Sequence, residues 1–237
     1  MTTLDDLTGR VISVSERTNA MLDSMFALMS RFYEAEKEAF EREIDKAQWI
    51  IIMQDSTGRN CGFLPLGMKN IYFSGKNIRV LYSGNFIMPP EFWKSSEIPR
   101  ALGKFIIDMI SAEPGVTFYW FYHLTCIKSY CFLRVLFCDF FPRFDKATPA
   151  MFSDILSTIG QNIFGESYRP ESGTVHFTNP FSPKKNLLES IPDRTPDLNC
   201  TYFRKKNPGY AKGVELACIA PLRMDNLQPL IRRTVAE

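Results

Sequence analysis

Chemistry in this chain of 237 residues has to come from a short list of side chains. Lys94-Ser-Ser-Glu-Ile-Pro-Arg100 lies between an aromatic and aliphatic run ending at Met88 and an amphipathic segment beginning at Ile98. A strand that feeds a polar turn and then a helix leaves N–H groups unbonded at the helix start, and such groups attract anions. The turn is therefore expected to seat a phosphate-bearing ligand, with Lys94, Ser95, Ser96 and Arg100 around it. His123 closes the most aromatic run in the chain, VTFYWFYHL from Val116, beside Thr125 and Cys126, where an imidazole could act as a base at neutral pH. Cys126 and Cys131 stand near a helix start, whose dipole favours a thiolate, so lowered thiol pKa values are expected. Neither has a His or carboxylate at a spacing that marks a nucleophile. Ser83-Gly84 is not a Gly-x-Ser-x-Gly elbow, which argues against a hydrolase. His, Cys, Asp and Glu show no metal-ligand spacing, so no metal is expected.

The scaffold for these groups follows from periodicity. Residues 1 to about 12 read as a loose end or a short strand through Val11 and Val14. Apolar residues at helical spacing predict helices over 16–32 and 37–46, the second with Phe40 and Ile44 inward. Gln48 to Gln54 is a β-branched run, and Asp55-Ser-Thr-Gly-Arg-Asn60 turns it into a second strand over 61–68. Ile71 to Phe73, the turn at 75–77 and a strand from Ile78 extend the meander to Met88, where Pro89-Pro90 stops it. A helix is expected from Ile98 to Met109, a central strand over 116–124, and helices over 129–140 and 148–163, the last opened by Thr148-Pro149 and closed before Gly165. Thr174 to Phe177 reads as a short strand and 179–196 as a surface loop. Thr201 to Arg204 and Glu215 to Ala220 read as a hairpin around KKNPGYAKG. Residues 1–178 are expected to form the core, and 179–237 a C-terminal extension packed on it.

Composition narrows the classes. A hydrophobic content of 45% supplies a sizeable core, and 28 basic against 26 acidic residues give no whole-protein field suited to nucleic acid. The six cysteines sit mostly within apolar runs without Cys-x-x-Cys spacing, which speaks against zinc and a disulfide framework and for reduced thiols in a cytoplasmic protein. The N-terminus is acidic and polar, and no apolar run reaches the length of a membrane span, so a soluble protein without a targeting leader is expected.

Two helices, an antiparallel meander, a strand-turn-helix unit, a further strand and a helix: over roughly residues 10–145 this order resembles the GNAT superfamily of N-acetyltransferases. Gly62-Phe-Leu-Pro-Leu66 looks like that family's strand beginning with glycine after the first hairpin turn. Asn85-Phe-Ile-Met-Pro-Pro-Glu-Phe-Trp93 looks like its Val-x-Pro-x-x-Arg segment, where a strand splays and its amides receive the pantetheine arm of a thioester. Tyr119 to Phe144 is similar to the last core strand and helix, with Phe140-Phe141 near the usual Gly-Phe. Two features depart. The family's Gln/Arg-x-x-Gly-x-Gly/Ala pyrophosphate loop is degenerate here, because Lys94 to Pro99 holds no glycine, so serine hydroxyls and the side chains of Lys94 and Arg100 must replace bare amides. Leu136-Phe137 stands where a tyrosine often protonates the leaving thiolate. The departures point to an unusual donor, such as an acyl group on a carrier protein, or to loss of transfer. Acyl-homoserine lactone and N-acyl amino acid synthases look like distant members of the same fold and make the carrier reasonable.

The resemblance implies an α/β fold with a mixed, mostly antiparallel central sheet flanked by helices. It implies an acyltransferase that moves an acyl group from a thioester, acyl-coenzyme A or acyl-carrier-protein phosphopantetheine, to a small-molecule amine by direct attack. Backbone N–H groups of Phe86, Ile87 and Met88 would polarise the thioester carbonyl, and Lys128 would face the same cleft. Glu91 and His123 are candidate bases and Tyr130 the candidate thiolate acid. Tyr82, Phe92, Trp93, Trp120 and Tyr122 would build an apolar acyl or acceptor pocket. A homodimer is compatible with this reading. The rival reading is a catalytically inactive module of the same shape that binds a ligand or a partner.

Overall fold

Runs of β-branched and aromatic residues bury both faces only inside a sheet, and here they set its order. The computed structural model describes residues 4–190 and 197–234. Its strands are β1 (Thr8–Ser13), β2 (Tyr33–Glu34), β3 (Trp49–Gln54), β4 (Asn60–Phe73), β5 (Lys76–Ser83), β6 (Thr117–Leu124), β7 (Tyr168–Arg169), β8 (Thr174–Val175), β9 (Ser182–Pro183) and β10 (Glu215–Leu222). Its helices are α1 (Asn19–Met29), α2 (Lys37–Asp45), α3 (Glu97–Ala112), α4 (Ile127–Leu136), α5 (Ala150–Phe164), α6 (Lys185–Ser190), α7 (Leu198–Lys206) and α8 (Pro229–Thr234).

Eight strands form one sheet in the order β1-β3-β4-β5-β6-β10-β8-β7, and β2 pairs with β9 in a separate small ladder. Every pair is antiparallel except β5 with β6. A parallel pair needs a crossover, and the segment carrying α3 provides it. The fold class is the mixed, mostly antiparallel α/β architecture expected from the sequence.

Alternation along β6 divides the core. Trp120, Tyr122 and Leu124 face α3, α4 and the buried Phe203 of α7, whereas Tyr119 and Phe121 face α5. Near the other edge, Ile50, Ile52 and Phe63 pack under α1 and α2. The helix α3 turns Ile98, Leu102 and Ile106 inward from a 16-residue amphipathic segment.

The expected C-terminal hairpin does not form. Thr201 to Arg204 is helical within α7, because the Asp197 carboxylate caps the helix by accepting from the Asn199 N–H (2.9 Å) and Phe203 is buried against Tyr130. Glu215–Leu222 instead enters the main sheet beside β6 over seven paired positions. The stretch expected as the surface loop 179–196 contains β9 and α6, and its residues 191–196 lie outside the described residues. Residues 71–73 continue β4 without a break, and α4 begins at Ile127 and ends at Leu136, a little earlier than the spacing suggests.

Candidate active site

The site is made by two neighbouring strands that part. β5 and β6 pair from Ile78 with Thr117 to Ser83 with Tyr122. Beyond that point β5's chain keeps to β4, and its register slips: five steps from Tyr82 to Ile87 face four from Gly67 to Phe63. That extra residue is a β-bulge, which bends a strand and re-aims its groups. Gly84 and Asn85 make it. Asn85 has φ of 52°, a left-handed conformation that asparagine tolerates better than most residues. At Gly84 an added Cβ would lie 2.1 Å from the His123 ring, so only glycine fits.

Ile87 exchanges both backbone hydrogen bonds with Phe63, at 2.9 and 3.0 Å. Strand alternation then directs the N–H groups of Phe86 and Met88 the other way, toward the space that β6 has vacated. Trp93 folds over this edge, its indole N–H donating to the Met88 carbonyl (2.9 Å), and the Lys128 ammonium lies 5.1 Å from its ring centroid.

A cavity of about 400 Å³ fills the gap. Phe86, Ile87, Met88 and Trp93 form one wall, Cys126, Lys128, Ser129 and Phe132 at the start of α4 another, and Lys94, Ser95, Ser96 and Arg100 the end nearest α3. Tyr33, Leu230 and Ile231 complete it. The structure thus gathers in one cavity Trp93 and the residues that the sequence pointed to for the donor. Within the turn, the Ser95 hydroxyl accepts from the Glu97 N–H (3.2 Å), and Arg100 pairs with the Glu97 carboxylate (2.7 Å).

A small polar void, lined by Tyr33, Asn85, Phe86, Tyr122, His123, Thr125, Ser129 and Glu215, lies next to this cavity at the level of the bulge. It shares Tyr33, Phe86 and Ser129 with the larger cavity, and Asn85, His123 and Glu215 with a groove on the opposite face of the sheet. That groove comprises cavities of about 170 and 260 Å³ that share Glu43, Asn85, His123 and Phe177. The void therefore lies at the bulge between the cavity on one face of the sheet and the groove on the other.

His123 is buried there, packed edge-on against Phe164, and its Nδ1–H donates to the buried Glu215 carboxylate. A carboxylate only accepts, so in the neutral imidazole the lone pair lies on Nε2. Glu215 comes from β10, where Ala217 is the register partner of His123, which makes Glu215 its diagonal neighbour on the same face. The sequence reading missed Glu215. Its one local signal is an acid at the head of the otherwise apolar run Leu216-Ala-Cys-Ile-Ala-Pro-Leu222. Tyr33 was missed as well: the Thr125 hydroxyl donates to its oxygen (3.4 Å), which leaves the phenolic proton free for another acceptor. Burial raises the Tyr33 phenol above its ordinary value, so it stays protonated. Burial also raises Tyr122, with Ser129 opposing the shift, and its hydroxyl oxygen meets no partner of hydrogen-bond geometry among the described residues.

Other expected site residues lie apart. Glu91 is exposed and pairs with Arg31 (3.4 Å). Tyr130 is fully buried, and its hydroxyl donates to the Pro142 carbonyl (3.0 Å) away from the donor cavity. Phe92 and Trp120 are buried in the core, Trp120 donating to the Ser83 hydroxyl (2.8 Å). Tyr82 lines the opposite groove, its hydroxyl donating to the Lys46 carbonyl (3.0 Å). The expected lowering of the Cys126 and Cys131 thiols is reversed. Burial pushes both up, Cys131 to about 12, because an apolar surrounding outweighs the helix dipole. Among the described residues no group of His, Cys, Asp and Glu could hold a metal ion, and no helix is long and apolar enough to cross a membrane.

No protein-family model matches the chain, and no curated protein matches it. Solved structures overlap with it in part. A conserved protein of unknown function from Enterococcus faecalis shows 16% identity and a TM-score of 0.43 over 80% of this chain and 49% of its own. Saccharomyces cerevisiae N-myristoyltransferase with bound myristoyl-CoA shows 14% identity and a TM-score of 0.39 over 53% of this chain. This chain spans 30% of the yeast protein. A Trypanosoma brucei acetyltransferase shows 17% identity and a TM-score of 0.37 over 54% of this chain and 89% of its own. The chemistry of the site rests on its own residues.

Proposed function

We propose that this chain is an acyltransferase that moves an acyl group from a pantetheine-type thioester, carried by coenzyme A or a carrier protein, to an amine. The observation that carries the reading is the void at the bulge, which puts a hydrogen-bonded imidazole at the junction of two cavities on opposite faces of one sheet. The thioester enters from the α3 and α4 side, with its carbonyl oxygen toward the Phe86 and Met88 N–H groups, where the oxyanion develops. The amine enters from the groove. Its nitrogen attacks the carbonyl carbon, and His123 takes the proton that the nitrogen loses, held in orientation by Glu215. The C–S bond breaks, and the departing thiolate takes a proton from the Tyr33 hydroxyl, which His123 makes good through the void. The products are an amide and a free thiol. Glu91 and Tyr130, placed outside the cavities, take no part in this scheme.

A non-catalytic ligand-holding module is the second reading. It is favoured by the contact of the Phe86 and Phe132 rings (4.9 Å between centroids), which narrows the donor cavity. Incubating the protein with acetyl-, octanoyl- and palmitoyl-coenzyme A and a panel of amines, with detection of free thiol and of thermal shift, separates the two. Thiol release dependent on an amine supports transfer. A thermal shift with no thiol release from any donor supports the module.

A further inference from the structure

We propose that the acyl group arrives on the phosphopantetheine arm of a small acidic carrier protein, docked on the rim formed by α3, α4 and α8. The proposal rests on the acyl-transfer reading and chooses between its two donors.

The start of α3 supplies the first observation. A helix N-terminus binds a diphosphate through free N–H groups. Here the Glu97 N–H is taken by the Ser95 hydroxyl (3.2 Å), and Pro99 has none, which leaves at most the Ile98 N–H among the first three helical residues. The Glu97 carboxylate also occupies this end, accepting from the Gly9 N–H (2.9 Å) and from Arg100 (2.7 Å). The helix start is thus tied to β1, and the charge of Arg100 is balanced. A coenzyme A diphosphate would find few free N–H groups at this helix start and an arginine whose charge is already balanced.

The rim supplies the second. Lys94 and Lys128 line the donor cavity, no carboxylate does, and α8, which gives Leu230 and Ile231 to the wall, exposes Arg232 and Arg233 in its last turn. None of these four cations has a carboxylate partner among the described residues, in a chain whose 28 basic and 26 acidic residues nearly cancel. Of the apolar residues that line the same cavity, Leu230 is 67% and Val135 46% exposed. Two lysines in the cavity lining, two exposed arginines on the helix that supplies part of its wall, and exposed apolar side chains fit an acidic partner that delivers a single phosphate and an apolar chain: carboxylates meet the arginines, the arm's one phosphate passes Lys94 and Lys128, and the acyl chain enters the cavity.

The test compares octanoyl-carrier protein, octanoyl-coenzyme A and octanoyl-pantetheine, as binding titrations and as thiol release with the amine panel. It uses the wild type, the Arg232→Glu/Arg233→Glu double variant and the Arg232→Lys/Arg233→Lys control. The carrier donor should have the highest kcat/KM, and the glutamate variant should raise its KM about tenfold while the lysine variant does not, because rim charges govern encounter. Octanoyl-pantetheine, which has no carrier, should change less than about twofold, and added salt should weaken the carrier alone, as expected for exposed charges. Coenzyme A ester turnover equal to or better than the carrier's, or a glutamate variant that leaves the carrier KM unchanged, overturns the docking proposal and leaves transfer standing. Carrier binding sensitive to the arginines with no thiol released from any donor supports docking and overturns the transfer reading. Absence of both overturns both.

Discussion

The strands β5 and β6 have two halves that behave oppositely. From Ile78 and Thr117 to Ser83 and Tyr122 they are a hydrogen-bonded parallel pair, most of it buried. Past that point the same two chain segments separate around a cavity of about 400 Å³. The paired half is apolar and positions its neighbours. The parted half holds the Phe86 and Met88 amides and the imidazole, and the Tyr33 phenol of β2 lines the same void. What separates them is small: one added residue in the register with β4, a glycine under the imidazole ring and an asparagine at positive φ. The cavity is thus made by interrupting a pairing that the flanking strand keeps, and the backbone groups that β6 would have satisfied are left facing it.

Removing the imidazole from the parted half gives the largest expected effect. His123→Ala should lower kcat/KM for amine-dependent thiol release by about 100-fold or more, the usual contribution of a positioned base. Glu215→Gln should give a smaller loss together with a shifted pH profile, because the amide no longer selects the tautomer with its lone pair on Nε2. If both variants keep wild-type turnover, the void at the bulge is structural and the comparison loses its chemical meaning.

Closing the bulge from beneath comes next. Gly84→Ala would put a methyl group 2.1 Å from the His123 ring, so the ring must move. A displacement near 1 Å costs about 100-fold in rate when geometry matters, and overpacking costs about 1–3 kcal/mol in stability. A folded Gly84→Ala protein of full activity would show that the imidazole works from more than one position. At Asn85, Ala should lower stability by about 1 kcal/mol, the cost of a Cβ in the left-handed region for a residue without asparagine's local hydrogen bonding. Asn85→Gly should be close to neutral in the same urea titration.

How much of this could be read from residues alone follows the same division. The paired half was legible, because a run such as Thr117–Leu124 has aromatic and β-branched content that only a buried strand satisfies. That Trp93, the turn at 94–96 and the start of α3 share one cavity was legible too, since they are nearly consecutive in the chain, whereas the bulge at Gly84 and Asn85 was not, the run to Met88 reading as one strand. The proposed catalytic pair was not. His123 and Glu215 are 92 residues apart, and only the register of β10 against β6 makes them diagonal neighbours, a non-local fact that no local pattern encodes. The misreading of Thr201 to Arg204 has the opposite cause. Thr-Tyr-Phe is locally β-prone, but the cap at Asp197 and the burial of Phe203 outvote propensity. Burial reversed the cysteine expectation in the same way, since a helix dipole is visible in the sequence and an apolar surrounding is not.

The smallest effect sharpens the comparison through those thiols. Cys131 lines the donor cavity beside the parted half, and burial pushes it up to about 12 from an ordinary 9.0, with Cys200 and Asp197 adding to the rise. The folded chain therefore keeps this proton across a range in which the unfolded chain has lost it. Between about pH 9 and 12 the unfolded state binds fewer protons, so stability falls as pH rises through that window and is fully present below it. One group contributes at most about 1.4 kcal/mol per pH unit. Cys218 on β10, in the paired region, is raised by burial as well and adds to the same slope. Urea midpoints at pH 8 and pH 10 should thus differ less for Cys131→Ala than for the wild type, and less again for Cys131→Ala/Cys218→Ala. A bound octanoyl thioester fills the space around Cys131 and leaves Cys218 untouched. It should slow alkylation of Cys131 at pH 9 while leaving Cys218 at its already slow rate, and equal protection of both would mean that the donor stabilises the whole fold instead of occupying the gap between the strands.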